Sequence, residues 1–323
     1  MSEKIDAVIT WVDGDDPRHR AKRQQFGTQR QFSEENVAGD TRFKSLGEIF
    51  YCVASINHFA PWINKIYIVT DEQNPNLEPF LEHHFPEGYI PMEIVDHKVI
   101  FRGYEEHLPT FNSISIESMT WRIPGLSDKF IEFNDDLLLS APTSPGDFFA
   151  ENGVVCYASK KSVWFTALTR LLKRRKDGTK EVSYKETMLN GASLVGKSPY
   201  FLKMDHTPKG LLRRVYEEYF TAHPEVLQRN ISHRFRHASQ FNPQEMHYMS
   251  LYRDGRAELR PVKGNLFYLK PKRGIEYIVE KLQRWSHNGG CKFACFNSID
   301  QASEEGRKMI IEAICKRISI DKN

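Results

Sequence analysis

The chain has 323 residues, with 45 Lys plus Arg against 42 Asp plus Glu and a formal net charge of +3. At ~150 residues per domain, the length suits one large α/β domain or two ordinary ones. The charge balance argues against a dedicated nucleic-acid coat, and 21 Phe, 13 Tyr and 5 Trp exclude a disordered chain.

In chain order, Ile5 to Val12 is a β-branched run ending in the turn cluster Asp13-Gly14-Asp15-Asp16-Pro17. Ser45 to Phe59 carries apolar residues at offsets of three and four, with Ser45 and Glu48 spaced as a capping box and Pro61 as its stop. Lys65 to Thr70 reads as a second strand running into Asp71, and Met92 to Asp96 as a third. Ser113 to Trp121 is a short predicted helix, and Lys129 to Phe133 a fourth strand delivering Asn134-Asp135-Asp136. Beyond Pro142 the pattern loosens into a basic amphipathic segment over 160–176, an Arg/His-rich and partly helical stretch over 207–240, and helices at Ile275–Trp285 and Glu304–Ile318.

Strands alternating with helices predict an α/β fold with a mainly parallel, helix-flanked sheet and a more helical C-terminal half. Ligands of such sheets sit at the carboxyl ends of the strands. Three strands end in acids there: Asp13, Asp71 and the Asp135-Asp136 pair. Adjacent carboxylates supply hard oxygens for Mg²⁺ or Mn²⁺, and such a cation commonly shares a diphosphate. A solvated Asx turn fits Asp135-Asp136 as well, and a β-turn fits Asp13. No GxGxxG or GxxxxGK[ST] is present, so dinucleotide and P-loop readings have no support. The five cysteines (Cys52, Cys156, Cys291, Cys295 and Cys315) include no CxxC pair, which excludes a disulfide framework and a zinc ribbon and leaves buried thiols as the default. No signal-peptide h-region opens the chain and no run approaches ~18–20 apolar residues, so the expected location is cytoplasmic.

The blocks themselves resemble a known family. Ile5 to Gly14 looks like the first signature block of the Stealth sugar-phosphate transferases. The second block is followed at Arg42 to Glu48, Ser55-Ile56, Ala60 to Ile63, Ile66 to Asp71, Leu108 to Ser113, Ile116 to Ser118, Arg122 to Leu126 and Phe133 to Asp136. The third resembles Asp205-His206-Thr207-Pro208 with the later Arg234-Phe235-Arg236, and the fourth Lys292 to Asn297. One departure stands out: the family's fourth block usually reads Asn-Asp, whereas Asn297 is followed by Ser298, with Asp300 two positions on.

The resemblance implies a GT-A/Rossmann-like nucleotide-sugar core over 1–142, completed by 143–323 into one catalytic unit. It also implies transfer of hexose-1-phosphate or N-acetylhexosamine-1-phosphate from a UDP-sugar to a saccharide hydroxyl, in capsular or cell-surface polysaccharide, with release of UMP. On that basis Asp135 and Asp136 are expected to hold Mg²⁺ or Mn²⁺, with Asp13 or Asp71 assisting and Asn134 and Asn297 beside the substrate. His206 is the expected general base, since imidazole titrates near working pH; a structural histidine before Thr207-Pro208 is the plain alternative. Arg122, Arg234 and Arg236 are expected phosphate clamps, with a strand of outward-facing charges as the plain alternative for Arg234-Phe235-Arg236, and Asn112 is expected to orient the donor sugar. A metal-dependent glycosyltransferase releasing UDP is the near rival, and a non-catalytic polyanion-binding protein the distant one. Segment 160–176 allows peripheral contact with an anionic inner membrane, or a core-packed helix with a wet basic face. Nucleic acid is not an expected partner, because no aromatic-and-basic platform of a known module is present.

Overall fold

The computed structural model describes residues 3–27, 46–168, 184–271 and 273–321. Its central sheet has the order β3-β2-β1-β4-β8. Strands β1 (Ile5–Thr10), β2 (Lys65–Thr70), β3 (Met92–Asp96) and β4 (Lys129–Asn134) are parallel, and β8 (Lys209–Leu212) closes the edge antiparallel to β4. The three inner strands β2, β1 and β4 are buried along almost their whole length, which is why they read as mostly apolar runs, interrupted at Asp6 and Glu132, rather than as alternations. The register sets Thr10 beside both Val69 and Asn134, and Thr70 beside Asp96, so the acid-bearing ends share one edge.

Two smaller sheets tie the halves of the chain together. β5 (Leu137–Leu139) follows β4 after a two-residue turn and pairs antiparallel with β11 (Phe293–Phe296), itself parallel to β10 (Leu266–Leu269). In the third sheet, β6 (Val154–Ser162) lies between β7 (Tyr200–Met204) and β9 (Ala257–Arg260). One continuous apolar cluster runs from Ile5 to Ile318. Gly210 on β8 is required where it stands, because a Cβ there would sit 2.5 Å from the carbonyl oxygen of Phe148.

Several predicted boundaries move. The first strand stops at Thr10 rather than Val12. Helix α1 (Pro17–Phe26) begins inside the predicted turn cluster: Asp16 caps it by accepting from the Arg18 N–H at 2.7 Å, and Pro17 takes the first turn, where its missing N–H costs nothing. Helix α2 is Glu48–Phe59, entered through Gly47 at φ 87°; Ser45, the other half of the expected capping box, lies outside the described residues. The helix expected over Ser113–Trp121 divides into α3 (Ser113–Glu117) and a 3₁₀ turn at Thr120–Arg122. In the basic segment, Lys160 and Lys161 belong to β6, residues 163–168 are helical, and the remainder lies outside the described residues. Trp164, Phe165 and Leu168 are 81%, 68% and 55% exposed, so the core-packed reading fails for them. Helix α4 (Pro243–Arg253) carries no sequence pattern of one-sided burial, because it is buried on nearly every face. Helices α5 (Ile275–His287) and α6 (Glu304–Arg317) fall within a few residues of expectation. Among the described residues, no helix is long and apolar enough to cross a membrane.

Candidate active site at the strand ends

Asp135 and Asp136 form the turn between β4 and β5, and the pairing of β5 with β11 brings the distant segment 293–297 against them. Asn297 Nδ2 donates to Asp136 Oδ2 at 3.2 Å, the Cys295 thiol approaches the same oxygen at 3.5 Å, and the Phe296 N–H donates to the Asp136 carbonyl at 3.0 Å. Two of the sequence blocks, 161 residues apart at these atoms, thus meet at one carboxylate. The other oxygen, Asp136 Oδ1, is buried with no hydrogen-bond partner. Leaving a buried acceptor unpaired costs about 1–3 kcal/mol, more for a charged group, so stability does not explain its placement.

The surroundings are short of positive charge. Burial holds the Asp135 carboxyl well above the usual range, and Glu48 and Asp136 push it the same way. Glu48, at the start of α2, is raised by burial and then by Asp136 and Asp300, although the Leu46 N–H donates to it at 2.6 Å. The thiol of Cys52, which points to the Asn134 carbonyl at 3.8 Å, is raised by burial and by both aspartates. Among the described residues, no three His, Cys, Asp or Glu side chains form a ready metal cage. A pair of hard carboxylates, one with a buried unpaired oxygen, amid uncompensated negative charge still fits a hard divalent cation that takes its other ligands from elsewhere.

His206 lies in the turn between β7 and β8, where its ring reaches solvent and stacks on Tyr268 of β10 at 5.2 Å and 30°. The protein packed around the ring pulls its pKa below the ordinary value, Lys209 and Lys270 act the same way, and Asp136 and Asp205 oppose them. Tyr268 is pushed up to about 12 by burial, Cys295 and Asp136. His206, Asp136 and Asn297 are therefore neighbours in one site.

The β1 and β2 ends form a second group. Gln73 clasps the Asp13 backbone, accepting from its N–H at 2.9 Å and donating to its carbonyl at 2.9 Å. Asp13 Oδ1 accepts from the Asp15 N–H at 2.9 Å, which is the turn geometry its sequence allowed. Asp71 pairs with Lys22 of α1 at 3.3 Å, and Lys22 also reaches Glu72 at 2.6 Å. Burial works against the Lys22 charge, but Glu72 and Asp71 outweigh it and raise its pKa. Asp71 therefore already has a cation, and Asp136 has no ion-pair partner among the described residues.

The remaining expected contacts are built differently. Asn112, expected to orient a sugar, is fully buried: Nδ2 donates to the His233 carbonyl and Gln240 Oε1, and Oδ1 accepts from the Ile114 N–H. Arg122 donates to the carbonyls of Ile100 and Arg102, both at 2.7 Å, and lies over Tyr104. Arg234 donates to the carbonyls of Glu106 and Leu108 and covers Phe26 of α1; Arg236 donates to Ser113 Oγ at 2.8 Å. Asn112, Arg234 and Arg236 tie segments 106–113 and 233–240 together, and Arg122 holds the 100–102 segment. The sequence reading missed Gln73, Lys22, Lys209 and Tyr268, none of which carries a motif of its own; Cys295 and Glu48 lay inside quoted blocks but were read without chemistry.

The chain matches the family descriptions "Stealth protein CR1, conserved region 1" over residues 3–31 and "Stealth protein CR2, conserved region 2" over 42–157. It is 31% identical to the receptor polysaccharide phosphotransferase WefC of Streptococcus oralis, covering 82% of this chain and 83% of that one. It is 29% identical to the capsular polysaccharide phosphotransferase WcwK of Streptococcus pneumoniae, covering 95% and 94%. The exopolysaccharide phosphotransferase SCO6021 of Streptomyces coelicolor is 31% identical over 93% of this chain, which spans 52% of that relative's length. Among solved structures, the apo WbbM bifunctional glycosyltransferase aligns with 97% of this chain and 50% of its own, at a TM-score of 0.48 and 12% identity. With motif blocks at both the β1 and β4 ends and a relative matched along most of its length, the chain belongs to the Stealth family of transferases.

Proposed function

We propose that the chain transfers a hexose-1-phosphate or N-acetylhexosamine-1-phosphate from a UDP-sugar to a saccharide hydroxyl, building a phosphodiester into capsular or cell-surface polysaccharide. The observation that carries this reading is the buried, unpaired Asp136 Oδ1 beside Asp135, within the field of His206. In the balanced reaction the acceptor oxygen attacks the sugar-bearing phosphorus, the bond from that phosphorus to the bridging oxygen breaks, and UMP leaves with the oxygen. Such transfer depends on positioning and charge neutralisation. Asp135 and Asp136 would hold Mg²⁺ or Mn²⁺, which when bound supplies charge neutralisation for the diphosphate. Asn297 fixes the Asp136 carboxylate through Oδ2 and leaves Oδ1 to face the ligand. His206, with its pKa pulled down, is neutral at working pH and takes the proton of the acceptor hydroxyl. Lys209 and Lys270, which both act on His206, add positive charge around it.

The test is a panel of UDP-sugars with a saccharide acceptor and Mg²⁺, scoring the released nucleotide by chromatography and the product by phosphorus NMR. UMP and a diester resonance support the reading. UDP with a phosphate-free product assigns the chain to ordinary glycosyl transfer.

A second surface bears on where the reaction occurs. Trp164, Phe165 and Leu168 stand exposed next to Lys160 and Lys161, a combination suited to the interface of an anionic membrane. We propose peripheral contact there. Co-sedimentation with anionic vesicles that is lost in Trp164→Ala/Phe165→Ala supports it, and equal recovery with neutral and anionic vesicles removes it.

A further inference from the structure

Beside His206 the surface folds into a cavity of about 440 Å³ lined by Lys270, Arg273, Tyr277, Glu280, Lys281 and Arg284, between the end of β10 and helix α5. Four cations face it against one carboxylate, and Glu280 is already engaged by Arg284. Among the described residues, no carboxylate lies within ion-pair distance of Lys270, Arg273 or Lys281. In a chain whose whole formal charge is +3, so much unmatched positive charge in one concavity marks a site for an anion. The volume suits a small ligand larger than a bare ion, within the roughly 300–1,000 Å³ of ordinary ligand pockets. Tyr277 supplies an aromatic wall, with the Arg273 guanidinium 5.5 Å and the Lys281 ammonium 5.8 Å from its ring centre. Sugar rings pack their apolar faces on such a ring while flanking cations take the attached charge.

The cavity is joined to the reaction site by its own walls. Lys281 Nζ donates to the Tyr268 carbonyl at 3.2 Å, and the Tyr268 ring stacks on His206. Lys270 of the lining also acts on the His206 ring, so a ligand here lies within the electrostatic reach of His206. We infer that this cavity binds an anionic sugar of the acceptor chain, one residue removed from the reacting hydroxyl. Its charge is a phosphodiester left by an earlier turnover or the carboxylate of a uronic acid. The inference rests on the reading of His206 as the group that meets the acceptor. It has a consequence for substrate choice: an acceptor that already carries charge is held better than a neutral one, so the product of one transfer becomes a preferred substrate for the next.

Binding can be read without turnover, by ligand-observed NMR with methyl glucosyl phosphate diester, glucuronate, methyl glucoside and UMP as probes. The proteins are wild type and Arg273→Ala/Arg284→Ala, with melting curves to verify that both are folded; each single variant serves if the double variant is not. The diester should bind wild type and weaken at least tenfold in the variant, with methyl glucoside failing to compete. Glucuronate binding as tightly, with the same loss, keeps the anionic sugar and assigns its charge to a carboxylate. Equal diester affinity in both proteins overturns the inference. So does displacement of the diester by UMP with a matching loss of UMP binding in the variant, since the cavity would then belong to the donor. Release of UDP in the transfer assay would end the sugar-phosphate reading while leaving this result intact.

Discussion

The Asp135–Asp136 turn and the paired loops 100–118 and 233–240 both lie in sequence blocks that mark the family, yet they use their polar side chains in opposite ways. At the turn, Asn297 and Cys295 occupy one oxygen of Asp136 and leave the other buried and unpaired. In the loops, Asn112 has every polar atom bonded to protein, and Arg122 and Arg234 are held by backbone carbonyls. A motif residue can thus be needed because it meets a ligand or because it builds the wall behind one. An unpaired atom alone does not separate the two cases, since Arg234 Nε and Arg236 Nε are also buried without a partner; what sets Asp136 apart is that its unpaired atom is a carboxylate oxygen beside further acids.

Variants can break this comparison, and the largest effect is expected at the turn. Asp135→Ala should lower the transfer rate by at least ~10³-fold while preserving the melting temperature, because its surroundings are already over-supplied with negative charge; a rate near wild type would remove it from the site. His206→Ala should cost ~10²-fold, the lower end for a lost general base. The loss should fall in the transfer step, with donor affinity retained, and an unaltered single-turnover rate would refute the role.

The loops should respond in stability instead. Asn112→Ala uncaps the Ile114 N–H and takes one of two donors from both the His233 carbonyl and Gln240 Oε1, and it should cost about 1–3 kcal/mol by denaturant titration. The folded fraction should still turn over within a few-fold of wild type; a thousandfold loss in a protein of normal stability would show that Asn112 meets the substrate after all.

The smallest effect concerns a carboxyl of the central sheet. Glu132 of β4 is buried among Glu117, Lys209, Tyr216 and Tyr248, and it accepts from Gln244 and Thr120. Burial, then Glu117, raises its pKa from the ordinary 4.5 to about 8. The folded protein therefore holds this proton more tightly than the unfolded chain, and the associated stability is present at low pH and lost as pH rises through about 8. Glu132→Gln keeps the shape without the ionisation. It should melt higher than wild type at pH 8 by roughly 2–4 °C per kcal/mol recovered, with a smaller difference at pH 5. The opposite trend would contradict the protonated assignment.

The three inner parallel strands were legible because a buried strand must be a largely apolar run, and Asp71 and Asp135-Asp136 were legible because they stand at the ends of such runs. What the sequence hid has physical causes. Helix α1 is polar on most faces, so its cap and Pro17 were the only signals, and they resemble a turn. The approach of Asn297 to Asp136 depends on β5–β11 pairing between segments far apart in the chain, which no local pattern encodes. The commitment of Arg122, Arg234 and Asn112 to backbone carbonyls is equally non-local, because an arginine facing a phosphate and one facing a carbonyl are spelled the same way. Resemblance supplied the residues, and only packing distinguishes those left open to a ligand.

The most direct test of that distinction is Asp136→Asn, measured for melting temperature and single-turnover transfer on one preparation. The substitution keeps the shape beside Asn297 and removes the charge at the unpaired oxygen. The variant should melt at or above the wild-type temperature and transfer at least ~10³-fold more slowly. Transfer near the wild-type rate in the folded variant would contradict the distinction.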